Sequence, residues 1–461
     1  MSIIAGFMVP HPPLAVPSVG RGAERTIEPT LDSYEEMGKD IAKLKPDTVI
    51  LASPHSVMYS DYFHISPGEE ARGDFGQFGA PQTEIKVKYD VHLAALISEL
   101  CMDSDFPAGL DGERDKRLDH GTMVPLAYLN KHYRDYKLIR LGLSGLPLSM
   151  HYRLGQHIKE AAEQLGRRAV FIASGDLSHC QKEKGPYGYK KEGPEYDKRI
   201  MDVMGRGAFD ELLTFDEGFL EKAEVCGHRS FCIMAGALDR CSLDIRTLTH
   251  QDITGVGYGF CFYHVKGVDR DRDFLDRYLV LERERLERRR QKEDSHVSLA
   301  RRTVEAYIRE GRKIVVSDDL DKELLQKQAG AFVSIHENGQ LRGCIGTIAP
   351  TKDCLAEEII SNAISASTRD PRFPPIEASE LDSLEITVDV LGEAEDIPSK
   401  DLLDVKRYGV IVRNGYRQGL LLPDLEGVDT VDEQISIAKR KAGIREEEKV
   451  NLQRFEVIRH F

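Results

Sequence analysis

The chain has 461 residues, of which 41% are hydrophobic and 30% charged, with a formal net charge of −14. That length exceeds one ordinary hydrophobic core, so two or three domains are expected. The acidic balance argues against a nucleic-acid or anionic-membrane surface. No apolar stretch approaches the roughly 20 residues that span a bilayer, and Met1-Ser2-Ile3-Ile4 lacks the basic region of a signal peptide. A cytoplasmic protein is expected.

Ile3 to Val9 is a near-continuous apolar run, as a strand covered on both faces requires. Pro10 stops it and His11 follows. A helix is predicted over residues 29–45, then a second apolar strand, Thr48 to Ala52, which ends in Ser53-Pro54-His55. Residues 56–83 are rich in glycine and aromatics and read as an irregular excursion, the kind of segment that forms lids and binding loops. A strand over 84–89 and a helix over 91–101 follow. Asp119-His120-Gly121-Thr122 then precedes an apolar helical stretch at 123–129. After a strand at 137–143 and a helix at 149–165, a third apolar strand at 169–173 runs into Ser174-Gly175-Asp176-Leu177-Ser178-His179. Helices over 194–204, 207–214 and 228–240 and strands at 244–249 and 257–265 complete this half. Strands alternating with helices give an α/β fold, a mainly parallel sheet with helices on both faces.

Between residues 269 and 294, 18 of 26 positions are charged, nine of each sign, around a helical apolar seam that includes Phe274, Tyr278 and Leu281. This reads as a solvated linker helix separating a domain at 1–268 from a smaller α+β domain at 295–461. The second domain is predicted to contain a helix at 299–308 and a strand at 331–336. A tight turn at Asn338-Gly339 leads into a strand at 340–348. A helix at 353–367, strands at 384–391, 410–413 and 419–423, and a final helix at 430–442 follow.

Three apolar strands that each deliver a histidine to a sheet edge point to one site, because ligands of open α/β sheets collect at the carboxyl ends of the strands. His11 and His55 are candidate metal ligands, with a third donor in Glu224-Val225-Cys226-Gly227-His228-Arg229-Ser230. Two histidines and a carboxylate leave open positions on a metal, as in non-haem Fe(II) oxygenases, but spacing does not separate Fe(II) from Zn(II). Glu224 and Cys226 are two apart, so on an extended segment both face the same way. A hard carboxylate suits O₂-activating iron, which favours Glu224. A thiolate from Cys226 would favour tighter metal retention or another reaction. His179 and His120 are the candidate acid/base groups, with Asp176 and Asp119 near enough in sequence to orient such rings. The eight cysteines include no C-x-x-C and read mostly as small buried residues. Cys344, in Leu341-Arg342-Gly343-Cys344-Ile345-Gly346, and the anion-clamping Arg342 beside it are the pointed features of the second half.

Met8 to Pro13, Ser53-Pro54-His55, Asp119-His120-Gly121, Ser174 to His179 and Glu224 to Ser230, in that order, resemble the class III extradiol (LigB-like) ring-cleavage dioxygenases over about residues 1–265. The resemblance implies a three-layer α/β sandwich, iron held by His11, His55 and a donor from 224–226, His179 as acid/base, and His120 as a donor to substrate or oxygen. The implied activity is Fe(II)-dependent opening of a catechol-like aromatic ring by O₂. The related Memo family is also similar and places a cysteine where Cys226 stands, which keeps a zinc hydrolase or a non-catalytic interaction module as alternatives. Leu341 to Ile348, Thr368 to Phe373 and Arg417 to Pro423 resemble the AMME-syndrome candidate-region domain, system protein A of the AmmeMemoRadiSam set, over about 295–461. That resemblance implies Memo-like and radical-SAM proteins as partners, and a homo-oligomer is also compatible with it.

Overall fold

The computed structural model describes residues 2–337, 339–425 and 427–461. It divides into two compact units, Met1–Val280 and Leu281–Phe461. The division falls inside one helix, Phe274–Arg290, within the charged stretch. Phe274 and Leu275 are buried in the first unit's core. Further along, Arg285 and Arg289 pair with Glu385, and Arg290 donates to the carbonyls of Leu381 and Asp382. Three of the arginines expected in water therefore hold the second unit together.

The first unit is built on a six-stranded sheet in the order Lys137–Leu141, Thr48–Ala52, Ala169–Ser174, Ile3–Val9, Tyr258–Val268, Cys241–Gln251. Five of these strands run in one direction, and Tyr258–Val268 alone is reversed, pairing antiparallel with both its neighbours. Side chains alternate across the pleat. Phe7, Val9, Leu51 and Ile172 enter one apolar cluster with Tyr34, Met37, Val124 and Leu129. Met8, Ile50, Phe171 and Ala173 enter another with Leu93, Tyr152, Leu154 and Ile233. Helices Glu28–Leu44 and His120–His132 therefore cover one face, and helices Val91–Asp103, Leu148–Gln164 and His228–Ala237 the other. This is the expected three-layer α/β sandwich. The three histidine-bearing strands are adjacent in it, so their carboxyl ends form one continuous edge.

Residues 56–83 are more regular than their composition suggests. Glu70–Phe75 pairs antiparallel with Ala80–Lys88, the two joined by a turn of 3-10 helix at Gly76–Phe78. Ala71, Gly73 and Phe75 alternate inward, but small residues at two of these positions weaken the period-2 signal.

In the second unit the order is Gln340–Gly346, Ala331–Glu337, Leu384–Leu391, Asn451–His460, Tyr408–Asn414, Arg417–Leu421, antiparallel throughout. Helices Ser295–Glu310 and Leu355–Thr368 bury Val297, Val304, Ile359 and Ala363 against Val333, Ile335 and Val388. The unit is α+β, as expected. Its central strand was not anticipated, because the sequence placed a helix last. Asn451–His460 carries four charged or histidine side chains and only one fully buried residue, Phe455. It is held by pairing on both edges more than by an apolar face. Of the predicted Asn338-Gly339 turn, Asn338 lies outside the described residues, and Gly339 has φ +79°. No described helix is long and apolar enough to cross a membrane.

Helices Leu148–Gln164 and His228–Ala237 meet backbone to backbone. A Cβ on Gly155 would lie 2.0 Å from the Ile233 carbonyl oxygen, and one on Gly236 would lie 1.8 Å from that of Tyr152. Helix propensity alone makes Gly155→Ala stabilising by about 1 kcal/mol, whereas overpacking opposes it by about 1–3 kcal/mol or more. Because the obstacle is backbone, the clash should win. Gly155→Ala is expected to lower the urea midpoint of the first unit, and an unchanged or raised midpoint would contradict this packing.

Candidate metal centre

His11 and His55 meet at the strand edge with Nε2 atoms 3.0 Å apart, and Cys226 Sγ lies 3.7 Å from His11 Nε2. Ligand atoms of these three residues all fall within 4.8 Å of one another. His11 is buried, Cys226 half-buried and His55 exposed. The protein fixes which nitrogen of His11 faces the cluster. Ser174 Oγ donates its proton to the Gly121 carbonyl at 2.6 Å, so at 3.0 Å it accepts from His11 Nδ1. His11 Nε2 is then a lone pair aimed at His55 and Cys226. Two imidazole nitrogens at 3.0 Å, one carrying a lone pair, need a proton or a cation between them. This donor set fits a transition metal ion held by His11, His55 and Cys226.

Glu224, the expected third donor, is not brought to this point. It follows the short helix Glu217–Lys222 in a left-handed conformation, φ +49°. The segment is therefore not extended there, and residues 224 and 226 diverge. The Glu224 carboxylate pairs with Lys190 and is about one-third exposed. Its backbone does the work near the site: the carbonyl accepts from the Nδ1–H of His179, which directs Nε2 of that ring away from this bond.

Among the described residues no hydrogen bond joins Asp176 to His179, although the two interact through their charges. Asp176 accepts from the backbone amide of His11 at 2.7 Å, and its own amide donates to Cys226 Sγ at 3.2 Å. These bonds require two loops to touch: a Cβ on Gly175 would sit 2.0 Å from Gly227 Cα, a separation only paired glycines permit. Asp119 caps the helix His120–His132 and accepts from Ser53 Oγ at 2.5 Å; Ser53 Oγ in turn accepts from the His55 amide at 3.2 Å. His120 lies against the face of His55, ring centroids 4.0 Å apart. Ser174 and Ser53 stood inside the motifs read from sequence, but their roles depend on partners more than 50 residues away.

A cavity of ≈ 410 Å³ opens beside His55 and His120, with Phe78, Leu118, Arg117 and Arg140 in its wall, a size suited to a small molecule. Phe78 comes from the hairpin of the 56–83 excursion and its ring contacts that of His120 at 5.4 Å. Arg140 is buried and fixed by Ser66 Oγ and the Arg117 and Asp115 carbonyls. A larger groove of ≈ 1140 Å³ along Lys86, Lys131 and Tyr133 includes none of the cluster's histidines.

Burial, reinforced by the neighbouring rings, holds His11 well below the usual imidazole range. Burial and His55 push His120 down to about 4, and burial also lowers His55. These rings are neutral at pH 7. Burial, with Asp176 adding to it, pushes the Cys226 thiol well up, so it is protonated at pH 7.

In the second unit Cys344 Sγ accepts from Ser334 Oγ at 3.2 Å, its amide donates to Asp370, and burial raises its thiol. It is not an activated nucleophile in this state. Arg342, read as an anion clamp, is fully engaged by Glu380 and the carbonyls of Pro374 and Pro375.

Residues 5–261 match the family model described as the catalytic LigB subunit of aromatic ring-opening dioxygenase, and residues 297–460 match the AMMECR1 model. Protein CA_C1420 of Clostridium acetobutylicum is 38% identical across 100% of this chain and 99% of its own length. A Thermotoga maritima protein is 51% identical over 170 residues, 36% of this chain and 98% of its own. The crystal structure of PH0010 from Pyrococcus horikoshii, at 33% identity, covers 36% of this chain and 88% of its own with a TM-score of 0.34.

Because the imidazoles already offer unprotonated nitrogens and the thiol still carries its proton, a cation entering the cluster at pH 7 should displace the Cys226 proton. Calorimetric titration with Zn(II) in buffers of different ionisation enthalpy should show wild type releasing about one proton more than Cys226→Ser. Equal release would mean that the thiolate does not bind.

Proposed function

Because the chain belongs to the family of the catalytic LigB subunit of aromatic ring-opening dioxygenases, we propose that its first unit is a metal-dependent oxidoreductase. It binds one Fe(II) with His11, His55 and Cys226 and acts with O₂ on a small catechol-like aromatic. The observation that carries this reading is the convergence of three donors, His11 and His55 from two strand exits and Cys226 from the loop before helix His228–Ala237, with the His11 lone pair locked inward by Ser174. A bound Fe(II) ion would supply a template for substrate and O₂ and a path for electron density between them.

The chain's own residues account for binding and proton handling. Phe78 and Leu118 offer an apolar wall to an aromatic ring, and the Arg117 side chain beside them offers a cation to a phenolate, the buried Arg140 being engaged by its own partners. His179, its Nδ1 proton held by the Glu224 carbonyl, presents Nε2 to accept a phenol proton. His120, neutral at pH 7, can donate or accept a hydrogen bond without adding a charge beside the metal ligands.

One observation favours a second reading. The third donor is a thiol, not a carboxylate, and a thiolate suits zinc as well as iron. A zinc centre with a hydrolytic role, or a Memo-like metal-binding role, follows from the same residues.

Anaerobic purification, loading with Fe(II) or Zn(II), and O₂ consumption against a panel of catechols separate the two. Under the leading reading, iron-loaded protein consumes O₂ with at least one catechol. His11→Ala and Cys226→Ala lose metal by about 10-fold or more, and Glu224→Ala keeps it. His179→Gln should retain metal while losing about 10²–10⁴ in kcat. Iron-loaded protein that consumes no O₂ with any catechol would favour the zinc reading.

A further inference from the structure

Among the described residues, a second group of metal-ligating side chains converges in the other unit. The ligand atoms of Asp294, His296 and His460 lie within 4.8 Å of one another. Asp294 caps the helix Ser295–Glu310: its Oδ1 accepts from the amides of His296 and Val297 at 2.9 and 3.1 Å, which fixes the carboxylate. Its Oδ2 accepts from His460 Nδ1 at 2.5 Å. His296 Nδ1 lies 3.8 Å from Oδ1, and the two imidazole rings stack with centroids 3.8 Å apart.

His296 is the anomaly. It is 4% exposed, yet neither ring nitrogen has a hydrogen-bond partner. Burying a polar group without a partner is unfavourable, and here both nitrogens of one ring are orphaned beside a fixed carboxylate and a second imidazole. Two donors on one tetrahedral ion, each about 2.1 Å from it, stand about 3.4 Å apart. The observed separations, 2.5 Å from His460 Nδ1 to Oδ2 and 3.8 Å from His296 Nδ1 to Oδ1 of the same carboxylate, fall on either side of that value. Ring rotations moving the nitrogens by less than about 1 Å would bring both into range.

We propose that Asp294, His296 and His460 bind a divalent transition cation, zinc foremost, fastening the start of helix Ser295–Glu310 to the end of strand Asn451–His460. Two nitrogen donors select against Ca²⁺ and Mg²⁺, which prefer oxygen, and favour the imidazole-binding metals. The Asp294 side chain is 41% exposed, which gives the ion a route in.

Co(II) titration of the metal-free full-length chain, followed by absorption, tests this separately from the first unit. A cobalt ion on the Cys226 thiolate gives a near-ultraviolet charge-transfer band, whereas an ion on two imidazoles and a carboxylate gives only visible d–d bands. His296→Ala and His460→Gln should each remove one cobalt per chain relative to wild type, together with visible absorption, and leave any near-ultraviolet band intact. Asp294→Asn keeps a capping side chain and should weaken that same ion by about 10-fold or more. If wild type takes up a single ion without the near-ultraviolet band and the variants abolish it, the second site stands and the thiolate assignment in the first unit fails. Equal stoichiometry in wild type and a His296→Ala protein folded by circular dichroism overturns the proposal. Should His296→Ala not fold, unchanged affinity in Asp294→Asn overturns it.

Discussion

The hydrogen bond from the His11 amide to the Asp176 carboxylate joins the exits of two adjacent parallel strands, and the first unit's chemistry rests on that join. A buried carboxylate is tolerable only when its oxygens are satisfied, and burial does raise the Asp176 carboxyl above its ordinary range. Backbone amides of Asp176 and His11 serve opposite ends of the arrangement: one donates to the Cys226 sulfur, the other to the carboxylate. Ser174, two residues before Asp176, sets the His11 tautomer. Four hydrogen bonds at one strand end, each to a residue 50 or more positions away, thus determine where a lone pair points.

The electrostatics follow from the same burial. Desolvation and mutual proximity keep His11, His55 and His120 neutral, so protons do not compete with a cation for their nitrogens near pH 7. The thiol is the exception, raised by the environment that lowers the imidazoles. Two histidines would therefore leave the cluster receptive to a cation at neutral pH, while the cysteine, which must lose its proton to bind, would make that uptake pH-dependent.

Much of this was legible in the chain because it depends on short motifs at strand ends. The apolar runs before His11, His55 and His179 identified central strands, and strand ends in an open α/β sheet converge without further information. The choice between Glu224 and Cys226 was not legible. It turns on one left-handed residue, and nothing in the composition of residues 224–230 marks a non-glycine for that conformation. The hairpin of 70–88 was hidden by alanine and glycine at inward positions. The strand Asn451–His460 was hidden because its neighbours supply hydrogen bonds where an apolar face would have supplied a pattern. Arg342 and Asp176 show a related gap: a charged residue in a motif looks available until its distant partners are placed.

Strand Ile3–Val9 sits between Ala169–Ser174 and Tyr258–Val268, pairing Phe7 with Ile172 on one side and Phe262 on the other. No local hairpin can stand in for either neighbour, so the centre of this sheet is built from contacts distant in sequence, which form slowly. His11 and Cys226, 215 positions apart, become neighbours only once those contacts are made. A chain emerging from synthesis thus carries isolated histidines and thiols but no chelate. An ion bound by the finished cluster more tightly than by the open chain would stabilise the folded state by an amount set by its affinity and concentration.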